Sequence, residues 1–314
     1  MAEPTRARPD EVVDADGGLP GDCREGFPLA SVLETQVADV RPALPEFTDP
    51  PLVEAVLAVQ FEPLPGLDVL QLGRLWDGFR QDYPKHSIHP PLGGQFETFE
   101  GRPVEQLFLH LGVDAPQLRC WFLSEDETEL VQVQLDRLVL NWRRKPGNDG
   151  YPRYERIRDR LRMALEKLSE FVVREDLGVV LPNQCEVTYV NHLEGGRGWR
   201  TFADVGAVFP GLSAAWSSGF LPLPEDVRAA LRFRIPGPGG GPPIGRLHAT
   251  IEPLFRRDDG APMLSFSLTA RIRPQRSESP EALEALDLGR RWVVEGFASL
   301  TSERMHEIWG RCDV

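Results

Sequence analysis

Residues 51–61 read Pro-Leu-Val-Glu-Ala-Val-Leu-Ala-Val-Gln-Phe and are bracketed by prolines at 50, 51, 63 and 65. Proline cannot donate to a β-ladder, so the brackets suit the two ends of a strand and not its middle. The stretch 53–61 is rich in β-formers and nearly continuous in apolar character, the signature of a well-buried strand. Any fold for this chain must therefore bury this strand. Its one charge, Glu54, must be paired or protonated if it is buried.

The periodicities that follow are mixed. Leu72, Leu75, Trp76, Phe79 and Tyr83 recur at spacings of three and four and predict an amphipathic helix over 69–83, closed by Pro84. A proline-rich loop is expected over 85–94. Strands are expected at 95–100, 104–111, 117–124 and 129–143, with a hairpin turn at 124–128. In the last of these, Val131, Val133 and Leu135 alternate with Gln132, Gln134 and Asp136, which predicts one wet face. A long helix over 151–175 carries the stripe Ile157, Leu161, Ala164, Leu165, Leu168, Phe171 and Val172, with Gly178 as its expected cap.

The second half repeats this rhythm. Strands are expected at 184–193, 227–235, 246–255 and 263–273, a short helix or turn at 202–209, and a helix over 279–309 with Pro280 near its start. The sequence thus predicts an α+β fold: a duplicated βαβ4α-like unit forming a large curved antiparallel sheet with long helices on one face. That layout is TATA-binding-protein-like by analogy, and the analogy carries no activity. The domains expected are a flexible acidic tail at 1–48, a first half at 49–178 and a second half at 179–314, in one continuous body.

Composition narrows the function classes. The formal charge of −13 disfavours general nucleic-acid binding, because an acidic body repels phosphate backbones. No stretch reaches the ~20 apolar residues of a membrane span, and no leader precedes the tail, so a cytoplasmic location is expected. Cys23, Cys120, Cys185 and Cys312 fit neither a zinc site nor a disulfide framework; Cys120 and Cys185 read as buried thiols. No cofactor is implied.

Few motifs suggest chemistry. Glu303 and His306 are one helical turn apart, but a carboxylate-bridged metal site needs a second such helix. His86 and His89 lack further ligands nearby. The glycine-rich 237–243 stretch lacks the Lys and Ser/Thr of a phosphate loop and reads as a strand connector. Glu54 and Glu186 stand near the starts of two leading strands, and each is expected to pair with an arginine of the long helices. The densest cluster is Asn141-Trp-Arg143-Arg with Tyr151-Pro-Arg153-Tyr154-Glu155. Arginine forks beside aromatic faces suit a small anionic ligand or a protein partner, although the same residues also build an ordinary strand-to-helix junction.

Taken together, Pro50-Pro-Leu-Val-Glu54, Trp76-x-x-Phe79 with Tyr83-Pro84, Asn141-Trp-Arg-Arg with Tyr151-Pro-Arg-Tyr-Glu155, and Cys185-Glu-Val-Thr-Tyr-Val-Asn-His192 resemble the "sporadically distributed" family of uncharacterised bacterial proteins. The resemblance continues through Leu286-Asp-Leu-Gly-Arg-Arg-Trp-Val-Val, Phe297-Ala-Ser-Leu-Thr301 and Met305-His-Glu-Ile-Trp-Gly310, and so spans about 50–311. It implies no assigned chemistry; the family's patchy occurrence implies a mobile accessory or defence role. The expected function is a non-enzymatic binding or interaction module that uses Asn141, Arg143, Tyr151, Arg153, Tyr154, Glu186 and His192. The alternatives are an enzyme with a cleft between the halves, and an antitoxin-like partner of a neighbouring gene product. The sequence does not fix the oligomeric state.

Overall fold

The structure, a computed structural model, describes residues 43–94, 96–99, 118–147, 150–213 and 220–312. The unit that contains them is an α+β body built on a nine-stranded antiparallel sheet. In chain order its elements are β1 (Glu46–Phe47), β2 (Leu52–Phe61), α1 (Val69–Trp76), β3 (Lys85–His89), β4 (Arg119–Leu123), β5 (Glu129–Gln134), β6 (Arg137–Arg143) and α2 (Tyr154–Arg174). There follow β7 (Pro182–Glu194), α3 (Val205–Val208), β8 (Ala229–Ile235), β9 (Gly245–Phe255), β10 (Pro262–Ile272), α4 (Ser279–Leu300), α5 (Glu303–Ile308) and β11 (Arg311–Cys312). The sheet order is β3-β4-β5-β6-β2-β7-β10-β9-β8, and β1 pairs separately with β11.

The proline-bracketed run is the fifth strand of the nine, and it is well buried. Ala55, Leu57, Val59 and Phe61 face the helices and are buried, while Glu54, Val56, Ala58 and Gln60 lie on the opposite face. The same division continues through β7 and β10, where Val187 and Cys185 or Phe266, Leu268 and Ala270 face the core. The long helices cover that core face. α2 and α4 are clasped at Asp287, which accepts hydrogen bonds from Tyr154 (2.8 Å) and from Arg158 Nε and Nη2 (2.7 and 2.9 Å). α1 sits on the same side, with Phe79 against Phe122 of β4 at 5.5 Å. Asp68 caps its start by accepting from the amides of Leu70 and Gln71.

Several elements differ from the sequence reading. The stretch 129–143 is a hairpin, not one strand: Leu135-Asp136 turns the chain between β5 and β6. Its glutamines are not on a wet face, because Gln132 and Gln134 are 7% and 3% exposed. The stretch 85–89 is an edge strand and not a loop. Residues 96–99 are irregular where a strand was expected, and the strand expected at 104–111 lies outside the described residues. The helix expected over 279–309 breaks at Thr301, whose hydroxyl donates back to the Phe297 carbonyl, and restarts with Ser302 capping α5. α2 ends in a Schellman turn in which Asp176, at φ 55°, takes the left-handed position expected of Gly178. Phe47, in the stretch read as tail, is buried against Phe297 and Trp309. Cys120 and Cys185 are buried free thiols, as expected. No helix among the described residues is long and apolar enough to cross a membrane.

Candidate functional site

The predicted site residues fall on two opposite faces of the sheet. Strand alternation decides this: Trp142 points to the helices, so its neighbours Asn141 and Arg143 point away.

On the helix side, Tyr151, Arg153 and Tyr154 come together. They line a cavity of about 80 Å³ together with Tyr189 of β7, Arg290 of α4 and the apolar wall of Phe47, Leu268 and Phe297. The Tyr151 and Tyr189 hydroxyls are hydrogen bonded at 2.8 Å. Burial, then each other's proximity, pushes Tyr151 far above the usual phenol range; burial likewise raises Tyr189. Both are therefore neutral donor–acceptor groups. The Arg290 guanidinium lies 4.8 Å from the Tyr154 ring centroid and 3.2 Å from Glu155. Arg153 is more than half exposed, and its nearest carboxylate, Glu46, is 3.8 Å away. It also holds φ at 69°, a left-handed backbone that a non-glycine residue adopts only at a cost.

On the other face, a polar chain crosses four strands. Arg119 donates to Gln132 (2.9 Å), Gln132 to Asn141 (2.6 Å) and Asn141 to Glu54 (2.8 Å). Glu54 is thus held by an amide, with Arg143 as its cross-strand neighbour, and not by a helix arginine. Glu186 likewise pairs within the sheet, accepting from Arg271 Nε of β10 at 2.6 Å. The expected helix partners are absent because the helices lie on the other side.

His192 lies six residues beyond Glu186 on β7, roughly 20 Å along the strand. It lines a separate cavity of about 160 Å³ with Arg144, Arg197 and Trp309. Burial lowers its pKa against the opposing pull of Glu194 and Glu54. A histidine with a depressed folded value contributes stability that is present above the unfolded value near ~6.5 and is lost as pH falls through the folded one. We expect the His192 imidazole to titrate below ~6.5 in an NMR pH series. A midpoint at or above that value would contradict its burial.

One functional group escaped the sequence reading altogether. Residues 92–94 and 96–99 lie across the polar face: Leu92 exchanges hydrogen bonds with Gln134 of β5, and the Gly93 carbonyl accepts from Arg137 of β6. The Glu97 amide reaches Gln184 of β7, and its carboxylate ends among Arg246 and His248 of β9 and Arg271 of β10. Burial raises the Glu97 pKa, but the His248 hydrogen bond and the surrounding charges outweigh it and hold the carboxyl below its usual range. No local signal marks this cluster, since it depends on strand register.

The other histidines and carboxylates do not converge. His86 packs on Trp76 on one face of β3, while His89 stacks on Trp121 on the other. His306 is buried at the α4–α5 corner and hydrogen bonded to Thr301, not placed on the surface. Among the described residues, no group of three or more His, Cys, Asp or Glu could hold a metal ion. The 237–243 stretch connects β8 to β9.

The fold and cavities thus define an α+β protein on an antiparallel sheet with one helix-covered face and one polar face. No family model, curated protein or solved structure matches the chain.

Proposed function

We propose that this chain is a non-enzymatic binding module of the "sporadically distributed" type that its motifs resemble, and that the Tyr151–Tyr154 junction holds the anionic end of a small ligand or of a partner. The observation that carries this reading is Arg153. It is strained at φ 69° on the rim of an apolar cavity, and its ion pair with Glu46 is long, at 3.8 Å, and solvent-exposed. Backbone strain of this kind costs about 1–3 kcal/mol and persists where the surroundings impose it, often at ligand clamps. A carboxylate with a short apolar tail matches the lining: Arg153 and Arg290 for the charge, Phe47, Leu268 and Phe297 for the tail.

The enzyme alternative asks for one cleft that gathers Glu186 and His192. Glu186 is ion paired with Arg271, and His192 lines a different cavity, which favours binding over catalysis. The antitoxin-like alternative shares the binding reading and differs in the partner.

We further propose that the body descends from a duplicated unit. Two features support it. In each half the leading strand, β2 or β7, lies beside the last strand of that half, β6 or β10, and the long helix follows. The two leading strands also pair antiparallel at the middle of the sheet.

Calorimetric titration with butyrate and benzoate tests the binding reading. The wild-type chain is expected to bind at least one of them. Arg153→Ala and Arg290→Gln, still folded by circular dichroism, are expected to weaken binding about tenfold. Unchanged affinity in both variants, or no binding by the wild type, would leave the junction a structural feature only.

A further inference from the structure

The second face of the sheet carries an accumulation of positive charge that local pairing does not explain. Register places Arg234 of β8 opposite Arg246 of β9, and Arg246 opposite Arg271 of β10. One row across three adjacent strands is therefore all arginine. The next row sets Arg232 opposite His248. Strands in a sheet are about 4.8 Å apart, and like charges directly opposite destabilise the pairing unless an anion lies among them.

Two carboxylates answer this row. Glu186, the cross-strand neighbour of Arg271, belongs to the sheet and accepts from Arg271 Nε at 2.6 Å. Glu97 does not belong to the sheet; it is delivered by the irregular segment 96–99. Its Oε1 takes His248 Nε2 at 2.6 Å and lies 3.6 Å from Arg271 Nη1, while its Oε2 takes Arg246 Nη1. Both oxygens are thus held by cationic or donor groups from two neighbouring strands, the arrangement by which proteins recognise a carboxylate or phosphate. Arg246 is only 8% exposed, and its Nη2 donates to the Thr98 carbonyl at 2.9 Å. Arg232 and Arg234 are exposed at the rim and make no ion pair among the described residues.

We infer that Arg246, His248 and Arg271, with Arg232 and Arg234 at the rim, form a receptor for a small oxyanion, a phosphate or carboxylate group, and that Glu97 fills it in the ligand-free chain. The strands present the donors in fixed positions. The anion now held comes from residues 96–99, which pair with no strand among the described residues, so an external oxyanion can displace it without unpairing the sheet. This site lies on the opposite face from the Tyr151–Tyr154 cavity and is independent of it.

The test is calorimetric titration of the full chain with inorganic phosphate and with succinate, which separates the two sources of oxyanion. Glu97→Ala is expected to bind at least one of them about tenfold or more tightly than the wild type. Adding Arg246→Met to Glu97→Ala should abolish that gain. Adding Arg153→Ala instead should leave it intact, so failure here is distinguishable from failure of the junction site. A Glu97→Ala chain that binds neither probe more tightly than the wild type overturns the inference, as does a gain that survives Arg246→Met. Should Glu97→Ala not fold, hydrogen exchange on the wild type decides. Phosphate or succinate should speed exchange of the Glu97, Thr98 and Phe99 amides relative to chloride at equal ionic strength, and unchanged exchange overturns it.

Discussion

Replacing Phe266 by alanine is expected to cost about 3–5 kcal/mol of folding stability, the range for removing a fully buried phenyl ring. Phe266 is 0% exposed at the middle of β10. Its ring meets Phe209 edge-on at 4.8 Å and stacks on Phe297 at 5.9 Å. Phe297 in turn touches Phe47 at 5.3 Å and Trp309 at 5.1 Å. One ring therefore ties the sheet to the chain after α3, to α4 and, through Phe297, to β1 and the end of α5. Such aromatic pairs add about 0.5–1.5 kcal/mol each beyond area burial. Domain stabilities are about 5–15 kcal/mol, so the loss is a large share of the total. Urea unfolding should show a lower midpoint with an unchanged slope. Phe266→Leu, which keeps most of the volume, should cost clearly less. A loss below ~1.5 kcal/mol for the alanine variant would mean that the cluster collapses around the gap. The same variant should weaken ligand binding at the junction, because Phe297 and, two positions along β10, Leu268 line that cavity.

Where one physical signal dominated, the chain was easy to read. β2 was legible because prolines bracket an apolar run, and α2 because its stripe is uninterrupted. β7, β9 and β10 were legible because long alternating runs admit one face to the core. β3 was missed for the opposite reason. Lys85-His-Ser-Ile-His89 is mostly polar, as an edge strand can be, and prolines on either side made it look like a loop. The hairpin at Leu135-Asp136 was missed because the alternation of hydrophobic and polar residues runs through the turn. Length was the available signal, since fifteen residues exceed the usual strand of about 3–10. The break before α5 carried a legible mark in Ser302-Glu303, a cap followed by an acidic residue.

The site divides in the same way. Tyr151, Arg153 and Tyr154 are neighbours in sequence and remain neighbours in space. Asn141 and Arg143 were grouped with them by proximity along the chain, although period-two alternation places both on the face opposite Trp142. That error was avoidable. The Glu97 cluster was not, because it joins residues about 150 positions apart and depends on the registers of β8, β9 and β10. A sequence pattern reports which face a residue occupies, but not which residues stand opposite it.

Gly289 and Gly296 set how closely α4 approaches the sheet, and enlarging them is expected to have the second large effect. They are seven residues apart and lie on one face of the helix. A Cβ on Gly289 would lie 2.9 Å from Val187 Cγ2, and one on Gly296 2.7 Å from Leu247 Cδ2 and 3.3 Å from Leu268 Cδ2. Glycine inside a helix costs about 1 kcal/mol relative to alanine, so its presence at both points implies a packing need greater than that cost. The contacts are to β7, β9 and β10, where Val187, Leu247 and Leu268 are all buried. Valine at either position should therefore cost about 1–3 kcal/mol by overpacking, even though it removes a flexible residue. The double variant should lose roughly the sum unless the first substitution already lifts the helix, in which case the second costs less. That non-additivity is informative, because α4 carries Asp287, which accepts a hydrogen bond from Tyr154, and Arg290, which lines the junction cavity. If Gly289→Val lifts the helix, the Tyr154–Asp287 hydrogen bond should break as well, and junction binding should fall together with stability. Thermal unfolding and butyrate or benzoate titration of the two single variants and the double variant measure both. Full stability in Gly289→Val would mean that α4 can shift on the sheet without loss, and would contradict the close helix–sheet contact at Val187.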